Sequence, residues 1–493
     1  MSEHILFLTG KLAERGLKSV LESMQLTGFT YEVYNIGVSV AALMTAEMIK
    51  RRVTTARGAD RIMVPGLCLG DLNGPSQQLG VPIIRGPDEL KDLPEFFGQA
   101  GQPPDLGRYD VRIFAEIVDA PKMDVDAIVK QAKVYARDGA DVIDLGCLPS
   151  IPFPHLEEAV AALREADFQV SVDSLETDDL LRGGQAGAHY LLSLRESTLW
   201  VADEVDSVPV LIPDEPPDLG SLYRAIENLA KRDRPFIADT ILDPIHFGLT
   251  RSISRYQTLR ERYPDVEIMM GIGNLTELTD ADTSGINAVL MGIISELHIT
   301  SVLTTQVSPH ARAVVREVDR ARRIMYAARE ANNLPRGFDD SLLTTHDRKP
   351  FPYSLEEINA LASQIRDPSY RVQVSDKGVQ VFNRDGLVVG IDPFELFTKL
   401  DLLQDDAPHA FYMGVELAKA QIAWQLGKRY IQDEELRWGA ATEPKDEPLE
   451  QSAKSKGKVS VEKRNDNAAA GALSEYKAAG PTLQARKKKR KAS

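Results

Sequence analysis

Apolar and polar positions along the chain repeat with two periods, near two residues and near 3.6, and the alternation between them divides the sequence into modules. The segment HILFLTG is a short apolar run, followed by the helix-patterned KLAERGLKSVLESM. TYEVYNIGV, AALMTAEMIKRRV and DRIMVPG continue the alternation, and VPIIRG with DELKDLPEFF closes it. Strand–helix alternation implies a parallel sheet, so residues 1–105 predict a small doubly wound α/β domain of Rossmann or flavodoxin type. Such sheets bind ligands at strand carboxyl ends. Thr9, Gly10 and Lys11 in LTGK therefore suit either a phosphate site or a plain strand-to-helix turn, since no full glycine fingerprint accompanies them.

AGQPPDLGRYD, residues 100–110, is rich in Gly and Pro and reads as a linker. Beyond it the alternation becomes longer and more regular. Eight strand candidates follow: 111–120, 140–147, 168–174, 188–194, 208–214, 235–243, 266–274 and 301–307. Between them lie helix patterns such as MDVDAIVKQAKVYARDG, LEEAVAALREAD and SGINAVLMGIISELH, and HARAVVREVDRARRIMYAARE ends the series. Eight βα units predict a central (β/α)₈ TIM barrel over residues 108–330, with a larger doubly wound sheet as the alternative.

After the linker NNLPRGFDDSLLTTHDRKPFP, YRVQVSDKGVQVFNRDGLVVGID reads as two or three antiparallel strands with turns at DKG and RDG. The helix pattern HAFYMGVELAKAQIAWQLGKRYI carries Phe411, Val415, Ala418 and Ile422 along one stripe. Residues 350–438 therefore predict an α+β module with a role in packing or homodimerisation. Residues 440–493 contain few β-branched or aromatic residues and predict a disordered tail.

Composition narrows the functional classes. Net charge is −15, but residues 440–493 hold 13 Lys/Arg against 7 Asp/Glu, which leaves −21 on residues 1–439. A body so acidic argues against nucleic acid as the main ligand. The basic end RKKKRKAS suits a solvated tail, or contact with RNA or an anionic surface, or a nuclear-import signal. Two cysteines, Cys68 and Cys147, exclude a disulfide framework, and no Cys/His cluster has zinc spacing. No apolar run approaches the roughly 20 residues that span a bilayer, and MSEHILFLTG reads as a strand, so the expectation is a cytoplasmic protein without a membrane segment.

Active sites of (β/α)₈ barrels lie at the carboxyl ends of the strands, and acids recur there: Asp119, Asp144 in VIDLG, Asp173 in VSVDS and Asp243 in ILDPI. The seventh strand ends Gly271-Ile272-Gly273-Asn274, where glycine permits close backbone approach and Asn both donates and accepts. Any one Asp could be a turn or cap residue. Four converging on one rim suit a heterocycle with several N–H donors, or a metal ion, better than acyl chemistry.

VIDLG, VSVDS, ILDPI and the loop ending at Asn274 resemble the pterin-binding barrel superfamily, which includes dihydropteroate synthases and methyltetrahydrofolate methyltransferases. The resemblance covers about residues 108–330. MGIGNLTEL, LTTQVSPHAR and the flanking modules resemble more narrowly the long dihydropteroate synthase-related proteins associated with tetrahydromethanopterin. It implies a transferase that condenses a hydroxymethyl-dihydropterin diphosphate with an arylamine, with Mg²⁺ at the leaving group. It implies that Asp173 and Asp243 bind the pterin together with Asp119, Asp144, Ser193, Gly271 and Asn274. Catalytic roles then fall to Asp144, Asp243, His310 and Arg312, the last two following the eighth strand as a diphosphate site, or else serving as helix-cap or salt-bridge residues. The chain departs from ordinary synthases after the seventh strand, with Asn274-Leu275-Thr276 in place of Ser-Arg-Lys, and at the fourth, where Ser193 or Arg195 replaces Asn. Those departures favour a ribosylated aminobenzene phosphate over p-aminobenzoate. They also keep open a pterin-dependent methyltransferase or a non-catalytic pterin-binding protein.

Overall fold

The computed structural model describes residues 3–24, 29–88, 90–98, 105–148, 151–400 and 406–442. The disorder expected of the tail concerns residues outside this set from position 443 onward. In the N-terminal sheet, β1 (Glu3–Thr9), β2 (Phe29–Asn35), β3 (Arg61–Val64) and β4 (Ile83–Arg85) run parallel in the order β2-β1-β3-β4. HILFLTG is apolar at successive positions because both faces are covered. Ile5 and Phe7 pack with Leu17 and Leu21 of the helix Glu14–Ser23, while Leu6 and Leu8 pack with Met44 and Ile49 on the other side. The LTGK turn is a plain turn. Lys11 and Leu12 donate their amides to the Val38 and Ser39 carbonyls at 2.8 and 3.1 Å, so those amides are not available to a phosphate. A Cβ at Gly10 would stand 2.8 Å from the Ala41 nitrogen, which is why that position holds glycine.

The central sheet comprises β5 (Arg112–Ile117), β6 (Val142–Gly146), β7 (Gln169–Asp173), β8 (Tyr190–Leu194), β9 (Val208–Leu211), β10 (Ile237–Ala238), β11 (Met269–Gly271) and β12 (Ser301–Thr305). All are parallel, in the order β10-β9-β8-β7-β6-β5-β12-β11. A single Ala238–Ile268 bridge, with the Ala238 amide on the Glu267 carbonyl at 2.9 Å, joins β10 to the strand-7 segment. The result is a nearly closed eight-stranded barrel, and each strand lies within a segment whose patterning predicted it. Alternate residues face two cores. Phe114, Val142, Leu192, Val210, Ile237 and Met269 fill the interior, while Ile113, Ala115, Ile143, Leu145, Val170 and Val172 pack outward against the helices. Above this plug, toward the carboxyl ends, the inward positions become polar, and below it Arg112 meets the Tyr190 hydroxyl at 3.1 Å. At the opposite end the buried Arg322 donates to the Val111 and Gly139 carbonyls at 2.6 and 2.9 Å and pairs with Asp141 and Asp319.

β13 (Arg371–Ser375), β14 (Gly378–Asn383) and β15 (Gly386–Gly390) form an antiparallel meander. The helix Ala407–Leu426 packs on it through Met413, Leu417, Ala420 and Ala423. Of the two roles expected for the stripe, packing on this sheet is excluded, because Phe411, Val415, Ala418 and Ile422 form the exposed face. The helix turns the other way because its inner face includes Glu416, whose carboxylate accepts from the Tyr430 hydroxyl at 2.5 Å and pairs with Lys419. A buried acid with its own partners is invisible to a purely apolar stripe. The ordered chain also extends past Gly439. Ala440 is buried, donates to the Ser341 carbonyl at 2.8 Å and accepts from Arg316 at 3.2 Å. Among the described residues no helix is long and apolar enough to cross a membrane.

Candidate active site at the barrel mouth

Strand parity decides which acids enter the barrel. Side chains two apart point the same way, so the residues that follow the plug at i+2 must also face inward. Phe114 is followed by Glu116, Val142 by Asp144, and Ile237 by Asp239; on β7, Ser171 and Asp173 share the inward face. In the barrel register Glu116 lies opposite Asp144, and Asp173 lies opposite Gly146. The Glu116 carboxylate occupies the space where a Cβ at position 146 would project, so a larger residue there must displace it. Glu116, Asp144 and Asp173 each present an oxygen within 4.8 Å of the others.

Each acid is held differently. Asp144 is fully buried; its Oδ1 accepts from the Ser171 hydroxyl at 2.5 Å and its Oδ2 has no hydrogen-bond partner. Asp173 keeps part of its surface open to the mouth, and its Oδ1 accepts from the Ser193 hydroxyl at 2.6 Å. Ser193 reaches it from a break in the β8–β9 register, with φ of 70°, a left-handed conformation that a serine adopts only when its surroundings hold it there. Asp239 accepts from the Tyr256 hydroxyl at 2.5 Å and from the Ile241 amide at 2.7 Å.

No ion pair neutralises Glu116, Asp144, Asp173 or Asp239 among the described residues, and their proton affinities follow. Burial, with added repulsion from Asp173, pushes Glu116 up to about 8. Burial, then the Asp173 and Glu116 charges, raises Asp144 well above the usual carboxylate range. Burial raises Asp173 too, partly offset by the Ser193 hydrogen bond. Asp239 is pushed up to about 6 by burial against the Tyr256 and Ile241 hydrogen bonds. Glu116, Asp144 and Asp173 therefore titrate together, and Glu116 retains its proton at neutrality, whereas Asp239 releases its own below it. Burial likewise pushes the Cys147 thiol up, so it is no nucleophile.

The structure brings Asp144, Asp173 and Ser193 together and separates other residues singled out by the sequence. Asp119 is 61% exposed and pairs with Lys122 at 2.8 Å, because β5 ends at Ile117 and the chain turns outward before it. Glu116 is the acid that β5 contributes. Asp243 lies beyond β10, which ends at Ala238, and forms a mostly buried pair with Arg255 at 2.9 Å. Gly271 ends β11 beside the Asp239 carboxylate, where a Cβ would stand 4.0 Å from Oδ2. Asn274 sits in the short helix Gly273–Thr276, exposed, with its amide on the Leu242 carbonyl at 2.7 Å. The His310 ring is hydrogen-bonded to the Thr276 carbonyl at 3.1 Å, and Arg312 is exposed. Arg195, directly after β8, has a buried Nε without a hydrogen-bond partner. Glu116 and Asp239 were missed because the acids were sought at the ends of strands read too long; counting two residues past each inward apolar side chain finds both.

Comparison with known proteins adds the following. Residues 3–88 match a family model described as a family of unknown function (DUF6513). The chain is 25% identical to an uncharacterised protein of Methanocaldococcus jannaschii, over 88% of this chain and 98% of that one. Among solved structures it is similar to dihydropteroate synthases. That of Yersinia pestis, in a complex with a sulfonamide drug, is 15% identical over 46% of this chain and 96% of its own, with a TM-score of 0.36. That of Vibrio fischeri is 15% identical over 46% and 94%, with a TM-score of 0.36. That of Coxiella burnetii, in complex with pteroic acid, is 15% identical over 45% and 94%, again with a TM-score of 0.36.

Proposed function

We propose that the barrel binds a pterin through its inward acids and that the chain is a dihydropteroate synthase-like transferase. It joins a hydroxymethyl-dihydropterin diphosphate to an arylamine in folate or tetrahydromethanopterin biosynthesis. The observation that carries the reading is the acid cluster itself, Glu116, Asp144 and Asp173 with no ion-pair partner among the described residues. Buried carboxylates without a cation are costly. A ligand edge carrying a ring N–H beside an exocyclic amine offsets that cost, because one carboxylate accepts both bonds. Asp173, oriented by Ser193, is suited to that edge. Glu116, protonated at neutral pH, can donate to a ring acceptor. The arylamine nitrogen attacks the pterin methylene carbon, the carbon–oxygen bond to diphosphate breaks, and the amine proton leaves to solvent or to the departing diphosphate. Enzymatic acceleration of such a step comes from positioning and from charge stabilisation of the leaving group. Arg195, with its partnerless Nε, is better placed for the diphosphate than His310, whose ring is engaged. With Mg²⁺ bound, Glu116 and Asp144, including its unpartnered Oδ2, would hold the ion in their ionised forms, Glu116 then giving up the donor role, and the ion would supply positive charge against the diphosphate.

Incubation of the protein with the pterin diphosphate and a panel of arylamines, read by mass spectrometry, tests the reading. Condensed product with diphosphate release supports it, and pterin binding without turnover contradicts the transferase. A second reading, a pterin-dependent methyltransferase or non-catalytic pterin-binding protein, draws on Asn274 at the mouth and on the buried Leu275 and Thr276 where synthases carry cations. Binding without diphosphate release favours it.

A further inference from the structure

A cleft of about 930 Å³ opens in the N-terminal module, outside the carboxyl ends of β1, β3 and β4. The sheet order β2-β1-β3-β4 makes the β1/β3 boundary a topological switch point, the crevice where open parallel sheets bind ligands. Its walls are mainly apolar. Leu12, Leu67 and Leu334 line it while remaining 62%, 43% and 65% exposed, and Leu17, Val20 and Met63 continue the lining inward. The far wall is the segment that follows the barrel, residues 331–349, which is seated on the helix Glu14–Ser23. Arg15 donates to the Asn332 side chain at 3.3 Å, and a Cβ at Gly16 would stand 3.5 Å from the Asn332 carbonyl oxygen.

That segment gives the cleft a polarity. Arg336, Arg348 and Lys349 line the cleft from it, with Arg348 also paired to Asp340 at 3.2 Å, whereas Asp88 and Asp92 lie on the sheet side. The volume is near the upper end of small-molecule sites. A nucleotide is a poor fit, because the Lys11 and Leu12 amides that would cradle its phosphates are bonded to Val38 and Ser39. We propose that this cleft binds an organic anion with an extended apolar body, an aryl or acyl carboxylate or phosphate. The body lies along Leu12, Leu17 and Met63, and the anionic end meets Arg336 and Lys349. The site is separate from the barrel mouth and does not depend on the pterin reading. It gives the segment matched by the family of unknown function a ligand-binding role.

The test uses the full chain and the fluorescent aromatic anion anilinonaphthalene sulfonate. The expected result is saturable binding at one site per chain, weakened about tenfold or more by Leu12→Asp and by the double change Arg336→Glu with Lys349→Glu. All three residues are exposed, so the fold tolerates the changes, which melting curves verify. Uncharged N-phenylnaphthylamine should be weakened by Leu12→Asp but not by the double charge reversal. Displacement of the dye by dodecanoate identifies an acyl body and displacement by naphthoate an aryl one; displacement by neither overturns the proposal. Non-saturable dye binding overturns it as well, as does saturable binding that Leu12→Asp leaves unchanged.

Discussion

Replacing Glu116 by Gln keeps the length and shape of a side chain packed against Gly146 while removing one ionisable group from the buried acid cluster. Glu116 is raised to about 8 in the folded protein, first by burial and then by Asp173, whereas an unfolded Glu titrates near about 4.3. Below about pH 4 both states hold the proton and the group contributes nothing to the pH dependence. Between about pH 4.5 and about pH 8 the unfolded chain has released a proton that the folded one retains, so stability falls as pH rises, by at most about 1.4 kcal/mol per unit. Above about 8 both states are ionised and the loss is complete. Because Asp144 and Asp173 share the repulsion, removing one acid also relieves the others, and a gain of about 1–3 kcal/mol for Glu116→Gln at about pH 8 is expected. At about pH 5 the difference should nearly vanish. Urea denaturation of ligand-free wild type and variant across this window measures it. Glu157 and Asp367, held down to about 2 by Arg182 and Arg371, titrate alike in both proteins and cancel. A pH-independent difference, or a variant less stable at high pH, would refute an uncompensated acid cluster.

Three further outcomes follow from the packing. Gly146→Ala pushes a methyl group into the Glu116 carboxylate and should cost about 1–3 kcal/mol in thermal or urea unfolding, with Glu116→Gln giving no relief. Arg322→Ala removes a buried cation from Asp141, which keeps Tyr109 and the Ile113 amide, and from Asp319, which keeps Arg323, and takes a donor from two carbonyls at the barrel's lower end; a loss of about 2–4 kcal/mol in urea unfolding is expected. Truncation after Gly439 removes the Ala440 contacts to Ser341 and Arg316 and should lower stability by about 1–3 kcal/mol, whereas truncation after Thr442 should leave melting unchanged.

The barrel was legible in the sequence because each strand is short, apolar and separated by helix-patterned chain, and periodicity reports those features directly. Boundaries were less legible. PFIADTILD contains apolar residues to its end, yet only Ile237 and Ala238 pair as strand, since Asp239 is claimed by Tyr256 and the Ile241 amide and the chain leaves the sheet. That shift moved the expected strand-6 acid from Asp239 to Asp243. Asp119 likewise lies past the end of β5, where it pairs with Lys122. The orientation of the helix Ala407–Leu426 was hidden by Glu416, whose burial rests on Lys419 one turn along and on the Tyr430 hydroxyl, which lies beyond the helix and outside its repeat. The role of Ser193 as the orienting group for Asp173 depends on a register break between β8 and β9, and no pattern in one strand encodes a break between two.

Isothermal titration of a pterin into wild type and Asp173→Asn, with thermal melts alongside, tests the central claim most directly. Asn keeps the acceptor for Ser193 but turns a donor toward the ligand's N–H edge. Charge-assisted bonds of about 1.5–3 kcal/mol each and a mismatched donor predict a loss of roughly 3 kcal/mol, or about a hundredfold in affinity. The variant should melt no lower than wild type, because one uncompensated acid has been removed from the cluster. Unchanged pterin affinity in a folded variant would contradict the account, leaving Asp173 a structural residue and the acid cluster without a ligand.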